Sequence, residues 1–251
     1  MKVLGVDPAP SFGGHVFDGC YRRASTTRLA EELCGLGNTQ ASLLCWDAPL
    51  TGPPDPAVTS DRRGAFTKRP IETFFTKQQW GFKVPDGIAV QGFAGCQHWT
   101  ISRHMLGLPR VGPWDAEWST LPFNLLTNER PTSRGHYAVE VHPALALWLW
   151  CGFGNNPWPG PWTYKRDGEV LTGLWHKLCD EVRAFDPDLL EQIVAPGEPR
   201  DDDDLDSRIA WLLGKAWLND TGDIRILGSL GQGSFLVPEV PGLREAFEGF
   251  S

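Results

Sequence analysis

The sequence contains no apolar run long enough to cross a bilayer. The longest, Ala144 to Cys151, is eight residues, against roughly 20 for a spanning helix. It also has no excess of basic charge: 23 Lys+Arg stand against 31 Asp+Glu, a formal net charge of -8. That balance argues against a protein that coats nucleic acid or docks on a membrane surface, and leaves open a metal-dependent enzyme that acts on nucleic acid. The six cysteines, at 20, 34, 45, 96, 151 and 179, include no C-x-x-C pair. Scattered among apolar segments, they read as buried thiols in a reducing compartment rather than as a disulfide or zinc framework. No internal repeat is present, and Gly231-x-Gly233 is too short for a dinucleotide loop. The opening M-K-V-L-G-V-D carries no cationic leader and no small-residue cleavage site, so a cytoplasmic protein is expected. What is present is ordinary globular material, 41% hydrophobic and 22% charged over 251 residues, which fits one large domain.

Along the chain, Lys2 to Val6 is a short aliphatic run that predicts a first strand ending at Asp7-Pro8, where proline forces the backbone out of regular pairing. Residues 13 to 22 predict a hairpin turning at Asp18-Gly19. Thr26 or Thr27 is placed to cap a helix through Leu29, Leu33 and Leu36, and Ala41 to Trp46 is a fourth strand ending at Asp47. From Thr51 to about Gly135 the pattern dissolves into proline, glycine and aromatic residues, a large insertion in which Asp61 to Phe75 can include a helix. His136 to Val141 predicts a fifth strand, followed by an apolar helix from His142-Pro143 and a rigid W-P-G-P-W loop at 158 to 162. Leu171, Leu174, Leu178, Val182 and Phe185 mark an amphipathic helix, and Asp186-Pro187 starts another. Aspartates at 201 to 204 and 206 open a helix with Leu205, Ile209, Leu212, Leu213, Ala216 and Trp217 on its core face; Ile224 to Leu227 and Phe235 to Val237 are two short terminal strands or edge segments around G-S-L-G-Q-G. The whole reads as an α/β sheet with a hairpin on one side.

A single carboxylate at a strand end is more often structural than catalytic; accumulation changes the balance. Asp7, Asp47 and Glu140 end or nearly end three strands, and Asp203 and Asp206 lie on the first turn of the late helix. Open α/β sheets bind ligands at the carboxyl ends of their parallel strands. Carboxylates gathered there raise one another's pKa unless a hard cation, Mg²⁺ or Mn²⁺, holds them ionised. That is the requirement of two-metal phosphoryl chemistry. Asp201, Asp202 and Asp204 read as a solvated acidic run favouring the helix N-terminus. Asp206 lies one turn before Ile209, against the buried face, and reads as a site residue.

With these residues in view, the chain resembles the RNase H-like superfamily and, more narrowly, the predicted-nuclease family called domain of unknown function 429. The motifs are G-V-D at 5 to 7, W-D-A-P at 46 to 49, V-E-V-H-P at 139 to 143, D-D-x-D at 203 to 206 opening a helix, and F-L-V-P at 235 to 238. Ser207 stands where the resemblance leads one to expect alanine. The resemblance implies a mixed five-stranded sheet flanked by helices, its first three strands antiparallel and the fourth and fifth parallel to the first, with the insertion after the fourth. It implies metal-binding, catalytic carboxylates at Asp7, Asp47, Glu140 and Asp206, with Asp203 an added or alternative ligand. The expected activity is metal-dependent hydrolysis of a phosphodiester in nucleic acid, with two Mg²⁺ or Mn²⁺ ions when substrate is bound. The other readings are a nucleotide phosphatase or ATPase, and a non-catalytic binding or scaffold protein that keeps the fold.

His142, two residues after Glu140, either positions a phosphate or water or is a structural histidine beside a carboxylate. The 51 to 135 insertion carries ten Lys+Arg against seven Asp+Glu, a local balance of +3 that leaves -11 for the rest of the chain. Arg62, Arg63, Lys68 and Arg69 form its candidate phosphate-binding patch. Its Trp80, Trp99, Trp114 and Trp118 either stack on bases or build a local aromatic core.

Overall fold

Lys2–Ala9 (β1) and Ala41–Trp46 (β4) are short aliphatic runs buried on both faces, the pattern of strands inside a parallel sheet. The computed structural model describes residues 1–9, 13–39, 41–51, 69–90, 123–154 and 156–250. In it Gly13–Phe17 (β2), Tyr21–Ser25 (β3), Asn124–Leu125 (β5) and Gly135–Glu140 (β6) complete a six-stranded mixed sheet of order β3-β2-β1-β4-β6-β5. β1, β2 and β3 are successive antiparallel neighbours, whereas β4 runs parallel to β1 and β6 parallel to β4. The expected five strands are therefore six. β5 adds two residues beside β6, too few to carry any period that a sequence could display.

Proline does not end β1. Pro8 still pairs with Gly14 of β2, while the ladder to β4 stops at Val6 and Trp46, so the missing N–H falls where that side of the strand is no longer paired. Ile224–Ser229 (β7) and Gly233–Pro238 (β8) form a separate antiparallel hairpin, tied to the sheet by a bridge between Val141 and Leu236.

Period-two alternation sorts the strands between two cores. Leu4, Val6, Leu44 and Trp46 meet Leu29 and Leu33 of α1 (Thr26–Leu36) on one face. Val3, Leu43 and Cys45 face a larger core, built from α3 (Pro143–Gly152), α4 (Gly168–Phe185), α5 (Pro187–Val194) and α6 (Asp202–Asn219). Ser25, not Thr26 or Thr27, caps α1, its Oγ accepting from the Arg28 amide at 3.3 Å. Asp167, Asp186 and Asp201 cap α4, α5 and α6 with their side chains.

The described part of the insertion contributes α2 (Pro70–Phe74) and an aromatic cluster. Phe74 meets Phe75 and, in α7 (Leu243–Phe250), Phe247, with ring centroids 4.9 and 5.2 Å apart, and Trp80 packs edge-on to Phe250. Trp80 thus belongs to a local core; Trp99, Trp114 and Trp118 lie outside the described residues. No helix among the described residues is long and apolar enough to cross a membrane.

α6 packs backbone to backbone against β1. A Cβ on Gly5 would stand 2.2 Å from the Ser207 carbonyl oxygen and 2.3 Å from the Trp211 nitrogen, so helix backbone lies directly on strand backbone. One side of α6 is shaved to match: a Cβ on Gly214 would meet the Cys45 sulfur at 2.4 Å. Ser207, fully buried, turns its hydroxyl back to the Asp204 carbonyl at 2.9 Å and so fits where alanine would. Gly5→Ala is expected to cost about 3 kcal/mol, the upper end for atoms forced into a packed core, because backbone cannot swing aside as a side chain can. Exposed Gly35 in α1 has nothing near its missing Cβ, and Gly35→Ala should instead gain up to about 1 kcal/mol. Urea denaturation of the two variants distinguishes a helix seat from a generic glycine effect.

Candidate metal centre

Val6 is level with Trp46, and the Asp47 amide donates to the Val6 carbonyl at 2.9 Å. Asp7 and Asp47 therefore stand side by side, one residue past the last paired rung of two adjacent parallel strands. By alternation they share the face of Gly5 and Cys45, which α6 covers. The Gly5 contact lowers the first turn of α6 onto that same end of the sheet and delivers Asp206. One carboxylate oxygen from each of Asp7, Asp47 and Asp206 lies within 4.8 Å of the others. The first and last of these residues are 199 positions apart in the chain. They line a cleft of about 330 Å³ whose wall includes Lys165, His142, Arg69 and Phe235.

Glu140 lines the same cleft but is not part of this group. It is level with Trp46, one residue short of Asp47, and a one-residue offset turns a strand side chain to the opposite face. Its carboxylate is held there by five hydrogen bonds: from the Leu50 and Thr51 amides at 2.8 and 3.1 Å, from the Thr51 hydroxyl at 2.8 Å, and from Arg69 at 2.9 and 2.5 Å. Arg69 is correspondingly no member of a surface patch. It is buried, with its guanidinium shared between Glu140 and Glu72. Arg62, Arg63 and Lys68 lie outside the described residues.

Asp203 sits beside the cluster and pairs with His15 Nε2 at 3.2 Å; His15 Nδ1 in turn lies 2.7 Å from the Tyr21 hydroxyl. Asp201 is the α6 cap, but Asp204 departs from the solvated role expected of it. It is fully buried against Arg208, at 2.7 and 3.1 Å, and accepts from the Arg200 amide. The same Arg208 lies over the rings of Phe17 and Trp175. His142 caps α3, its Nδ1 accepting from the Leu145 amide at 3.3 Å. Burial, with Lys165 nearby, lowers its pKa to about 4, so at neutral pH the imidazole is uncharged and its proton is assigned to Nε2.

Two residues of the site escaped the sequence reading. Tyr164 donates its hydroxyl to Asp206 Oδ1 at 2.7 Å, and Lys165 Nζ donates to Oδ2 at 2.6 Å. Both follow the W-P-G-P-W loop, where the Trp158 indole bonds the Pro161 carbonyl and Trp162 is buried. That segment has no period, and nothing in T-Y-K-R-D identifies a cleft wall 41 positions upstream of Asp206.

The electrostatics follow from this crowding. The Asp7 carboxyl is raised well above the ordinary range, first by burial and then by Asp47 and Asp206, with Lys165 opposing. Asp47 is raised likewise, by burial and then by Asp206. The charge of Asp206 in turn holds the Lys165 ammonium above its usual pKa, against its own partial burial. Three anionic oxygens with no soft donor suit Mg²⁺ or Mn²⁺. The three oxygens lie within 4.8 Å of one another, near enough to be drawn onto one ion with bonds of about 2.1 Å. No family model, curated protein or solved structure matches the chain.

A carboxyl whose pKa is higher folded than unfolded stabilises the fold below its unfolded pKa, about 4, and that stability is lost as pH rises through the folded value. Metal-free Asp7→Asn should therefore gain in Tm over wild type, by an amount that grows from pH 4 to pH 7 and shrinks when Mn²⁺ is added. A pH-independent difference in thermal scans with EDTA contradicts this. Glu140→Gln should lose about 3 kcal/mol in urea, because it leaves a buried ion pair half broken.

Proposed function

We propose that this chain is a metal-dependent phosphodiester hydrolase acting on nucleic acid, a nuclease built on an RNase H-like sheet. The observation that carries the proposal is the convergence of Asp7, Asp47 and Asp206 within 4.8 Å at the carboxyl end of the two adjacent parallel strands β1 and β4. The strand directions and the order β3-β2-β1-β4-β6 support the RNase H-like reading. Asp7, Asp47 and Asp206 would hold Mg²⁺ or Mn²⁺, two ions with substrate bound. Bound there, the ions supply the Lewis acid that lowers the pKa of an attacking water and neutralises charge on the leaving oxygen.

The chain's own groups divide the remaining work. Tyr164 orients Asp206 by engaging one oxygen, and the carboxylate keeps lone pairs for a cation. His142 Nε2–H is a neutral donor on the cleft wall, able to bond a phosphate oxygen without adding charge. Glu140 and Arg69 act one layer back: their bonds to Thr51 tie the segment after β4 to β6, and Thr51 Oγ1 also accepts from the Ser234 amide of β8 at 2.7 Å. Arg69 and Ala89 line the cleft, and the net basic charge of the 51 to 135 sequence around them is the proposed source of phosphate attraction. At net charge -8, binding of a polyanion should be modest and fall with salt.

Purified protein incubated with Mn²⁺ and a panel of single-stranded, duplex, hybrid and branched DNA and RNA, together with free nucleotides, tests the proposal. Cleavage of at least one polymer class is expected, reduced about 10³-fold in Asp7→Asn, since several kcal/mol of transition-state stabilisation are lost with the metal. Hydrolysis of free nucleotides alone would instead favour a phosphatase. Mn²⁺ binding without turnover would favour a binding or scaffold protein.

A further inference from the structure

The two ion pairs at the cleft are built differently. Arg69 is buried, and its bonds to Glu72, Glu140 and the Thr51 carbonyl fix it in place. Lys165 makes one hydrogen-bonded ion pair, of 2.6 Å to Asp206, with its ammonium also 5.8 Å from the Tyr164 ring centroid, and its side chain is 46% exposed while that of Asp206 is 1% exposed. Asp206 does not depend on it for position, because Tyr164 engages the other oxygen. A lysine is also a compact point charge on a flexible stem, able to swing where a buried guanidinium cannot.

We propose that Lys165 is an exchangeable resident cation of the carboxylate cluster: it pairs with Asp206 when no divalent ion is bound, is displaced by that ion, and then offers its ammonium to the anionic group of a substrate in the cleft. The inference rests on the metal site proposed above. Its physical basis is competition. The ammonium and a divalent ion both require Asp206 and repel each other at contact distance in a partly buried site. The ammonium already balances one of three carboxylates, so the metal-free cluster stays folded with part of its charge neutralised. Once freed, the same ammonium lies at the cleft wall facing whatever anion the site takes, which makes Lys165 a positioning residue for phosphate rather than a fixed strut.

Calorimetric titration of Mn²⁺ into EDTA-stripped wild type, Lys165→Gln and Lys165→Arg tests the exchange. Lys165→Gln should bind Mn²⁺ about tenfold more tightly, the scale of one lost ion-pair competition, and Lys165→Arg should return to within about twofold of wild type. A purely structural lysine gives the reverse, unchanged or weaker binding in the glutamine variant, and that result overturns the proposal. Should Lys165→Gln fail to fold, wild type alone decides through pulsed amine acylation read by mass spectrometry, with Lys83, outside the cleft, as reference. Mn²⁺ should speed modification of Lys165 several-fold, and inorganic phosphate added to the Mn²⁺-loaded protein should slow it again. No acceleration by Mn²⁺ refutes displacement, and no protection by phosphate refutes the anion-facing role. Mn²⁺ binding by neither wild type nor Lys165→Gln would sink the metal-dependent function as well, whereas equal binding by both would sink only the role of Lys165.

Discussion

The contact of α6 with β1 at Gly5 sets the position of the groups in the cleft. The helix backbone can approach this closely only because the strand residue carries no side chain: Gly5 faces the Ser207 carbonyl and the Trp211 backbone, and Gly214 clears the Cys45 sulfur further along the helix. The consequence is geometric. With the helix axis held against the central strand, the first turn of α6 projects past the last rung of the sheet, and Asp206 reaches the level of Asp7 and Asp47. A Cβ on Gly5 would lift the helix and open the carboxylate triangle, so the packing contact and the chemistry share one cause.

Around this contact the protein neutralises its buried carboxylates in two ways. Glu140 and Asp204 are matched by buried arginines, Arg69 and Arg208, whose planar forks take several bonds at once. Those pairs hold loops and helices in register: Arg69 links β6 to the segment after β4, and Arg208 links α6 to the carbonyls of Ile193 and Gly197. Asp206 has a lysine that is half in solvent, and Asp7 and Asp47 have no ion-pair partner among the described residues. Unmatched carboxylates at a cleft floor are costly to the fold, so the difference between the two sets separates residues that serve structure from residues available to a ligand.

The sequence carried the skeleton in legible form where the period was long enough to see. β1, β4 and β6, the hairpin at Asp18-Gly19, and helices α3 to α6 fall within a few residues of their expected places, because apolar spacing, Asp caps and Pro at helix starts are local signals. It also brought Asp7, Asp47 and Asp206 forward as candidates, since each ends or opens a recognisable element. β5 was too short to announce itself, α2 falls at the end of the Asp61 to Phe75 stretch expected to include a helix, and α7 was not singled out.

The amino-acid order by itself therefore determined which segments are strands and helices and which carboxylates end them. Tertiary structure alone decided which of those carboxylates belong together. Glu140 looks equivalent to Asp47 in sequence, yet the parallel register sets it one residue short and hands it to Arg69. Asp204 and Asp206 look alike in an acidic run, but a two-residue step on α6 sends one to Arg208 and the other into the cleft. Tyr164 and Lys165 enter from an irregular loop with no pattern at all. Register, helix phase and loop path are set by contacts between residues distant in sequence, and local spacing holds no information about them.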